Sequence, residues 1–452
     1  MSTVARPGGR PPGPSRRRTL DLLTRMARDR LSVMTWAART YGDAVRLPLG
    51  PKTLHFFNHP DHARRVLSDN GANYHKGIGL THARRALGDG LLTSEGALWR
   101  QQRRTIQPAF QPKRLAQQAA AVGEEAEKLV ARLLARPPGE PVDIRQEMTG
   151  LTLGVLGRTL LDADLDAYEG IGEHFETVQD QAMFEMMSLG AVPTWIPLPG
   201  QTRFRRARAE LERITATLAA ERASASTGGR DDVLSRLVES SRDDPPAVRR
   251  LRVRDELVTL LLAGHETTAS TLSWTFHLAA RHPQVWERLH EEAVEVLGDR
   301  PVGIGDVHRL GYTTMVLQEV MRLYPPVWIL PRKALAEDEI GGYRVPAGAD
   351  VLICPYTLHR HPEFWDHPNR FDPERFTPER AAHRSRYSYL PFGAGPRVCV
   401  GSGLGMMEAA VVTAAVARRV RLTEVPGYPV VPEPMLTLRV RGGLPMTVRP
   451  VG

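Results

Sequence analysis

Apolar residues recur three and four positions apart over 19–41, the period of an amphipathic helix with one buried stripe. Beyond it the pattern shortens. Ala44-Val45-Arg46-Leu47-Pro48 and Leu54-His55-Phe56-Phe57 read as the two short strands of a hairpin spanning 44–58. From about 60 to 300 the pattern is mainly helical, broken at 135–142, at 193–200 and at 224–231 by runs such as Ala135-Arg136-Pro137-Pro138-Gly139. Residues 251–281 carry no proline, which predicts one helix of about thirty residues, roughly 45 Å long. From 335 onward strand-like runs and Pro/Gly turns take over, as in Gly341-Gly342-Tyr343-Arg344-Val345-Pro346 and Leu436-Thr437-Leu438-Arg439-Val440. One further helix is expected near 403–420. The fold class is therefore mainly α with a smaller β region, and no internal repeat is visible.

Composition narrows the picture. A chain of 452 residues with 42% hydrophobic residues can bury a sizeable core. The net charge of +9 is scattered rather than gathered, apart from Arg6, Arg10, Arg16, Arg17 and Arg18 in a Pro/Gly-rich stretch. Residues 1–18 are expected to be a disordered, solvated basic tail, with 19–452 as a single domain, and nucleic-acid binding is not expected. No run of about eighteen apolar residues predicts a transmembrane helix. Only Cys354 and Cys399 could pair, and Cys354 sits in the apolar run Val351-Leu352-Ile353-Cys354-Pro355 as a small core residue. Such sparse cysteine, without a signal peptide, points to a reducing cytoplasm. His359, His361 and His367 lie among prolines and read as loop residues without a metal pattern.

Two segments carry chemistry. The first is Phe392-Gly393-Ala394-Gly395-Pro396-Arg397-Val398-Cys399-Val400-Gly401. Glycines let this backbone turn tightly and lie flat against a partner. The loop offers one thiol, which ligates metal as thiolate, and one permanent cation that pairs with carboxylates. A buried structural cysteine in a turn is the bland reading, and the six fixed positions of F-G-x-G-x-R-x-C-x-G weigh against it. The second segment, Ala263-Gly264-His265-Glu266-Thr267-Thr268, lies in the long helix. A mid-helix glycine costs about 1 kcal/mol relative to alanine. An acid and two threonines beside Leu260, Leu261 and Leu262 add to the local penalty, which marks a functional site. An exposed polar face with threonine bonding back to a carbonyl would give the same letters. A zinc site of the H-E-x-x-H type fails, because Ala269 stands at the second histidine position.

The decapeptide resembles the haem-binding loop of the cytochrome P450 superfamily, and Ala263–Thr268 resembles its [A/G]-G-x-[D/E]-T-[T/S] helix motif. The resemblance covers about residues 20–450 and implies haem b held between the long central helix and the cysteine loop. It makes Cys399 the axial iron ligand, with Arg397 on a propionate, Phe392 beside the Cys–iron bond and Gly393 among the cofactor-binding residues. Ala263 and Gly264 would border the oxygen site, while Glu266 and Thr267 would act catalytically by delivering protons from solvent. Trp99 and Arg103, resembling W-x-x-x-R, and Arg332 are further propionate candidates. Glu319 and Arg322 resemble the family's E-x-x-R, with Arg375 as the third, structural member.

The implied activity is that of a monooxygenase taking electrons from NAD(P)H through separate proteins, a ferredoxin and its reductase. An acidic ferredoxin is expected to dock by charge on basic residues near Arg397, Arg418 and Arg419. A soluble, cytoplasmic monomer is expected. Segments that would set specificity supply Leu91, Met183, Phe184, Met186, Met187, Trp195, Val327, Trp328, Ile329, Met435 and Leu436, an apolar set suited to a hydrocarbon-like ligand. Residues 324–332 and 341–348 resemble soluble bacterial terpene-oxidising members, which implies a cyclic sesquiterpene such as pentalenene, in antibiotic biosynthesis. A fatty-acid or polyketide hydroxylase and a non-catalytic haem-binding protein stay open beside it.

Overall fold

The computed structural model describes residues 8–451 apart from 51, 166, 169, 189–191, 194, 197, 225–231 and 301. Its long helices are α1 (Thr19–Arg28), α2 (Arg30–Tyr41), α3 (Gly96–Ile106), α4 (Pro112–Leu134), α5 (Ile144–Leu156), α6 (Ile171–Ser188), α7 (Pro199–Ser224), α8 (Pro246–Arg281), α9 (Pro283–Leu297), α10 (Gly311–Leu323) and α11 (Ser402–Arg419). The strands are β1 (Ala44–Leu49), β2 (Lys52–Phe57), β3 (Tyr74–Lys76), β4 (Val142–Asp143), β5 (Leu330–Ala334), β6 (Asp338–Ile340), β7 (Tyr343–Val345), β8 (Asp350–Ile353), β9 (Val420–Glu424), β10 (Pro432–Pro434), β11 (Leu438–Val440) and β12 (Pro445–Pro450). Contacts gather this chain into two compact units.

One unit holds the chain up to Thr81 together with Gln318–Cys399. Its five-stranded sheet runs β1-β2-β8-β5-β3, with β2 and β8 parallel and the other neighbours antiparallel. Pro48 sits in β1, an edge strand, where its missing N–H spoils no ladder. Phe57, Leu67, Val351, Ile353, Leu358 and Leu390 form its core. The amphipathic run 19–41 is two helices rather than one, because Asp29 leaves helical geometry and caps α2 by accepting from Ser32 N at 3.0 Å. Within the stretch expected to be a tail, residues 8–14 lie against the sheet. Pro11 and Pro14 are buried, Pro12 O accepts from Arg46 N at 2.7 Å, and Gly9 bridges to Tyr343, so backbone hydrogen bonds hold this stretch to the sheet. Arg6 lies outside the described residues.

The other unit holds His82–Leu317 and Val400–Gly452. Its axis is α8, whose 36 residues span about 54 Å. Against it lies α5, fixed where Thr152 Oγ1 donates to His265 O at 3.1 Å. Strand β11 is tied to the same helix, since Ser270 Oγ and Trp274 Nε1 both donate to Leu438 O. The antiparallel sheet β4-β12-β9 and the hairpin β10–β11 complete the unit.

Candidate functional site

In the first unit the cysteine loop is closed by Cys399 N donating to Phe392 O at 3.0 Å. Gly393 and Gly395 take the left-handed φ values of 71° and 69°. At Gly395 a Cβ would stand 1.8 Å from Leu67 O, so only glycine lets the loop lie against the neighbouring backbone. The Cys399 thiol is exposed, whereas Cys354 is buried with Sγ donating to Trp328 O, and the two form no disulfide. Burial pushes the Cys354 thiol up to about 11, which makes it inert. Phe392 and Arg397 are half-buried in the loop, and Arg332 is buried on β5 with Nη1 donating to Pro331 O.

Behind the loop lies a buried ion cluster. Glu319 and Arg322, one turn apart on α10, are both 0% exposed and pair through Nε–Oε2 at 2.6 Å and Nη2–Oε1 at 2.8 Å. Arg375 Nε reaches Glu319 Oε1 at 3.4 Å, and Asp372 N donates to the same oxygen at 2.9 Å. Arg322 also donates to the carbonyls of His359, Pro368 and Arg370. The three residues thus meet as expected and pin the 359–375 segment to α10. His359 lies in a turn, as expected of a loop residue, yet it is fully buried and its Nε2 accepts from Leu390 N at 2.7 Å. Burial and the neighbouring guanidinium of Arg322 push it down to about 3, which keeps it neutral.

In the second unit, α8 is buried over most of 253–279, yet Ala263 is exposed and Gly264, Glu266 and Thr267 are half-buried. The motif therefore opens a window in a core helix. Gly264 faces α5, where a Cβ would meet Leu156 Cδ1 at 2.8 Å, so a glycine here lets the two helices pack closely. Thr267 Oγ1 donates back to Ala263 O at 2.7 Å. His265 is buried, with Nδ1 2.7 Å from Leu261 O, and burial pushes it down to about 4. Burial raises the Glu266 pKa, while a hydrogen bond from Gln179, the Thr437 hydroxyl and the charges of Arg439 and Arg145 pull against that rise. Gln179 Nε2 donates to Glu266 Oε1. Nothing in the α6 sequence singles this glutamine out. Its one signal is a polar residue, with Gln181 and Glu185, at positions the helix buries.

Trp99 and Arg103 lie one turn apart on α3, so they share a face, and Arg103 Nε donates to Gln107 Oε1. The apolar candidates divide. Met183 and Trp328 are buried, Phe184 and Met187 are exposed, and Trp195 is 76% exposed and lines no interior surface. Arg418 and Arg419 both pair with Glu127, and Arg418 is buried with further bonds to Gly298 O and Arg300 O.

The donor set fits a thiolate-ligated haem. A soft sulfur ligand stands exposed on a glycine loop that can lie flat, cations accompany it, and a helix window with a small residue and a half-buried acid is separately present. Among the described residues no other cluster of His, Cys, Asp and Glu could hold a metal ion.

Comparison with known proteins agrees with that geometry. The family model described as cytochrome P450 matches residues 9–443. The cyclooctatin synthase of Streptomyces melanosporofaciens is 38% identical over 88% of this chain and 87% of its own length. From the same organism, cyclooctat-9-en-7-ol 5-monooxygenase is 38% identical over 86% of this chain and 84% of its own. The pentalenene oxygenase of Streptomyces avermitilis is 32% identical, covering 88% of each chain.

Proposed function

The chain belongs to the cytochrome P450 family and is a P450 monooxygenase, and from that premise we propose that it hydroxylates an apolar cyclic terpenoid with electrons passed from NAD(P)H through a ferredoxin and its reductase. The observation that carries the reading is the window in α8, where the half-buried Glu266 stands beside exposed Ala263 on an otherwise buried helix. The haem that family membership implies supplies oxygen activation, which thiolate ligation favours.

Cys399 would hold that haem, and Arg397, Arg332, Trp99 and Arg103 would bind its propionates. Phe392 and Gly393 would shape the approach to the sulfur. Ala263 and Gly264 would border the oxygen. Glu266 would move protons inward from solvent, and burial, which raises its pKa, favours the protonated carboxyl that such a relay passes through. Thr267 would donate its hydroxyl to the reacting oxygen once it leaves Ala263 O. Glu319, Arg322 and Arg375 would be structural, holding the backbone beneath the loop.

The terpenoid class is supported by the resemblance of residues 324–332 and 341–348 to terpene-oxidising members and by the relatives' names. Those names widen the choice beyond a sesquiterpene such as pentalenene. No helix among the described residues is long and apolar enough to cross a membrane, and a cytoplasmic monomer is part of the proposal. The test is reconstitution with ferredoxin, ferredoxin reductase and NADPH, offering pentalenene and cyclooctat-9-en-7-ol separately. A product heavier by one oxygen atom, dependent on NADPH, supports the assignment. Oxidation of fatty acids alone would favour the hydroxylase alternative. Haem binding with no oxidised product from any substrate would favour the non-catalytic one.

A further inference from the structure

The acid of the α8 window is held by a residue of another helix. Gln179, on α6, is 1% exposed, and its amide donates to Glu266 Oε1. Glu266 Oε2 is buried without an amide donor, and the Thr437 hydroxyl stands beside the carboxyl and helps to draw its pKa down. One oxygen of the carboxyl is thus held by an amide, while the carboxyl's other neighbour is a hydroxyl, which can both give and accept a proton. Beyond it lies a charged exit: Arg439 on β11 bonds Glu433 on β10 at 2.9 Å and reaches Asp180 at 3.9 Å, and the Asp180 side chain is 62% exposed. Arg145 on α5 acts on Glu266 through its charge. Of its own helix neighbours, His265 bonds Leu261 O.

From this geometry we infer that Gln179 is a positioning residue for the proton-relay acid, fixing Glu266 Oε1 so that Oε2 alone exchanges protons, and so placing the relay under the control of α6. This deepens the relay reading of Glu266 and rests on it. A glutamine suits the task. Its N–H donates to a carboxylate without adding charge, so the acid is oriented and still titrates. A lysine or arginine there would hold the acid ionised. Met183 follows Gln179 by one turn on the same face of α6, so a ligand pressing on Met183 would move the residue that holds the acid.

The test compares wild type, Gln179→Met, Glu266→Gln and the double variant. The protonated-carboxyl C=O band that Glu266→Gln removes from the infrared difference spectrum reports Glu266 directly, with no substrate required. Losing a donor to the charged form should raise the midpoint of that band's pH titration by about one unit in Gln179→Met. With pentalenene or cyclooctat-9-en-7-ol, whichever the wild type oxidises, Gln179→Met should lower product formed per NADPH at unchanged substrate affinity. In the Glu266→Gln background it should have no further effect. If Gln179→Met fails to fold, Gln179→Glu keeps the size and replaces the donor by an acceptor, and the same midpoint should rise further. An unmoved midpoint, or additive losses in the double variant, overturns the inference. Turnover unaffected by Glu266→Gln would instead overturn the relay reading, while leaving the band shift to judge the contact.

Discussion

A carboxylate at 0% exposure survives only when its charge is answered, and Glu319 is answered by Arg322, by Arg375 and by the Asp372 amide. Glu319→Ala would leave two buried guanidiniums without their anion. The expected loss is about 3–5 kcal/mol, read as a lower urea midpoint and as less haem bound per chain. Full haem content at wild-type stability would contradict the structural role. At this scale the sequence was most legible where chemistry imposes spacing: the cysteine loop, the acid–alcohol pair and E-x-x-R each announced themselves. It was least legible where function depends on a lone side chain meeting a distant one. Gln179 lies 87 positions from Glu266 and Arg418 lies 291 from Glu127, and no local pattern encodes either meeting.

At the scale of elements, α8 does more than carry the acid. Asp255 accepts from Asp89 N at 2.7 Å and Glu256 accepts from Leu91 N at 3.1 Å, so the helix clamps the loop over 88–91. Glu256 is buried, and burial raises it to about 7, with Asp255 adding to the rise and Arg252 opposing it. Because its folded pKa exceeds the unfolded one, the folded state holds the extra proton between those values. Stability therefore falls as pH rises from roughly 4 to 7 and changes no further above that range. Glu256→Gln removes this dependence. It should stabilise the protein by up to about 3 kcal/mol at about pH 8 and by almost nothing at about pH 4, in paired urea titrations. A gain independent of pH would contradict the assignment. The elements themselves were largely readable. The long helix, the hairpin over 44–58 and the helix after the cysteine loop all formed, because period and proline placement decide them. The split at Asp29 was hidden by an apolar period that runs through the cap, and the ordering of residues 8–14 by a composition typical of solvated tails.

At the scale of the whole molecule, a net charge of +9 favours an acidic electron donor. Arg418 is buried and both it and Arg419 pair with Glu127, which reduces what these two contribute to that attraction. Turnover with an acidic ferredoxin should fall as ionic strength rises above physiological, through weaker association rather than slower chemistry. A rate insensitive to salt at limiting ferredoxin would rule that steering out. The grouping of residues 318–399 with the N-terminal part was not legible in the sequence, because more than two hundred residues intervene between them. The central claim is that Cys399 is the iron ligand on which every other role depends. It is tested most directly by the optical spectrum of the dithionite-reduced protein under carbon monoxide, beside Cys399→Ser. The assignment requires the red-shifted Soret band of thiolate-ligated haem in the wild type and its loss in the variant. A histidine-type band in the wild type, or a thiolate band that survives the substitution, would contradict it.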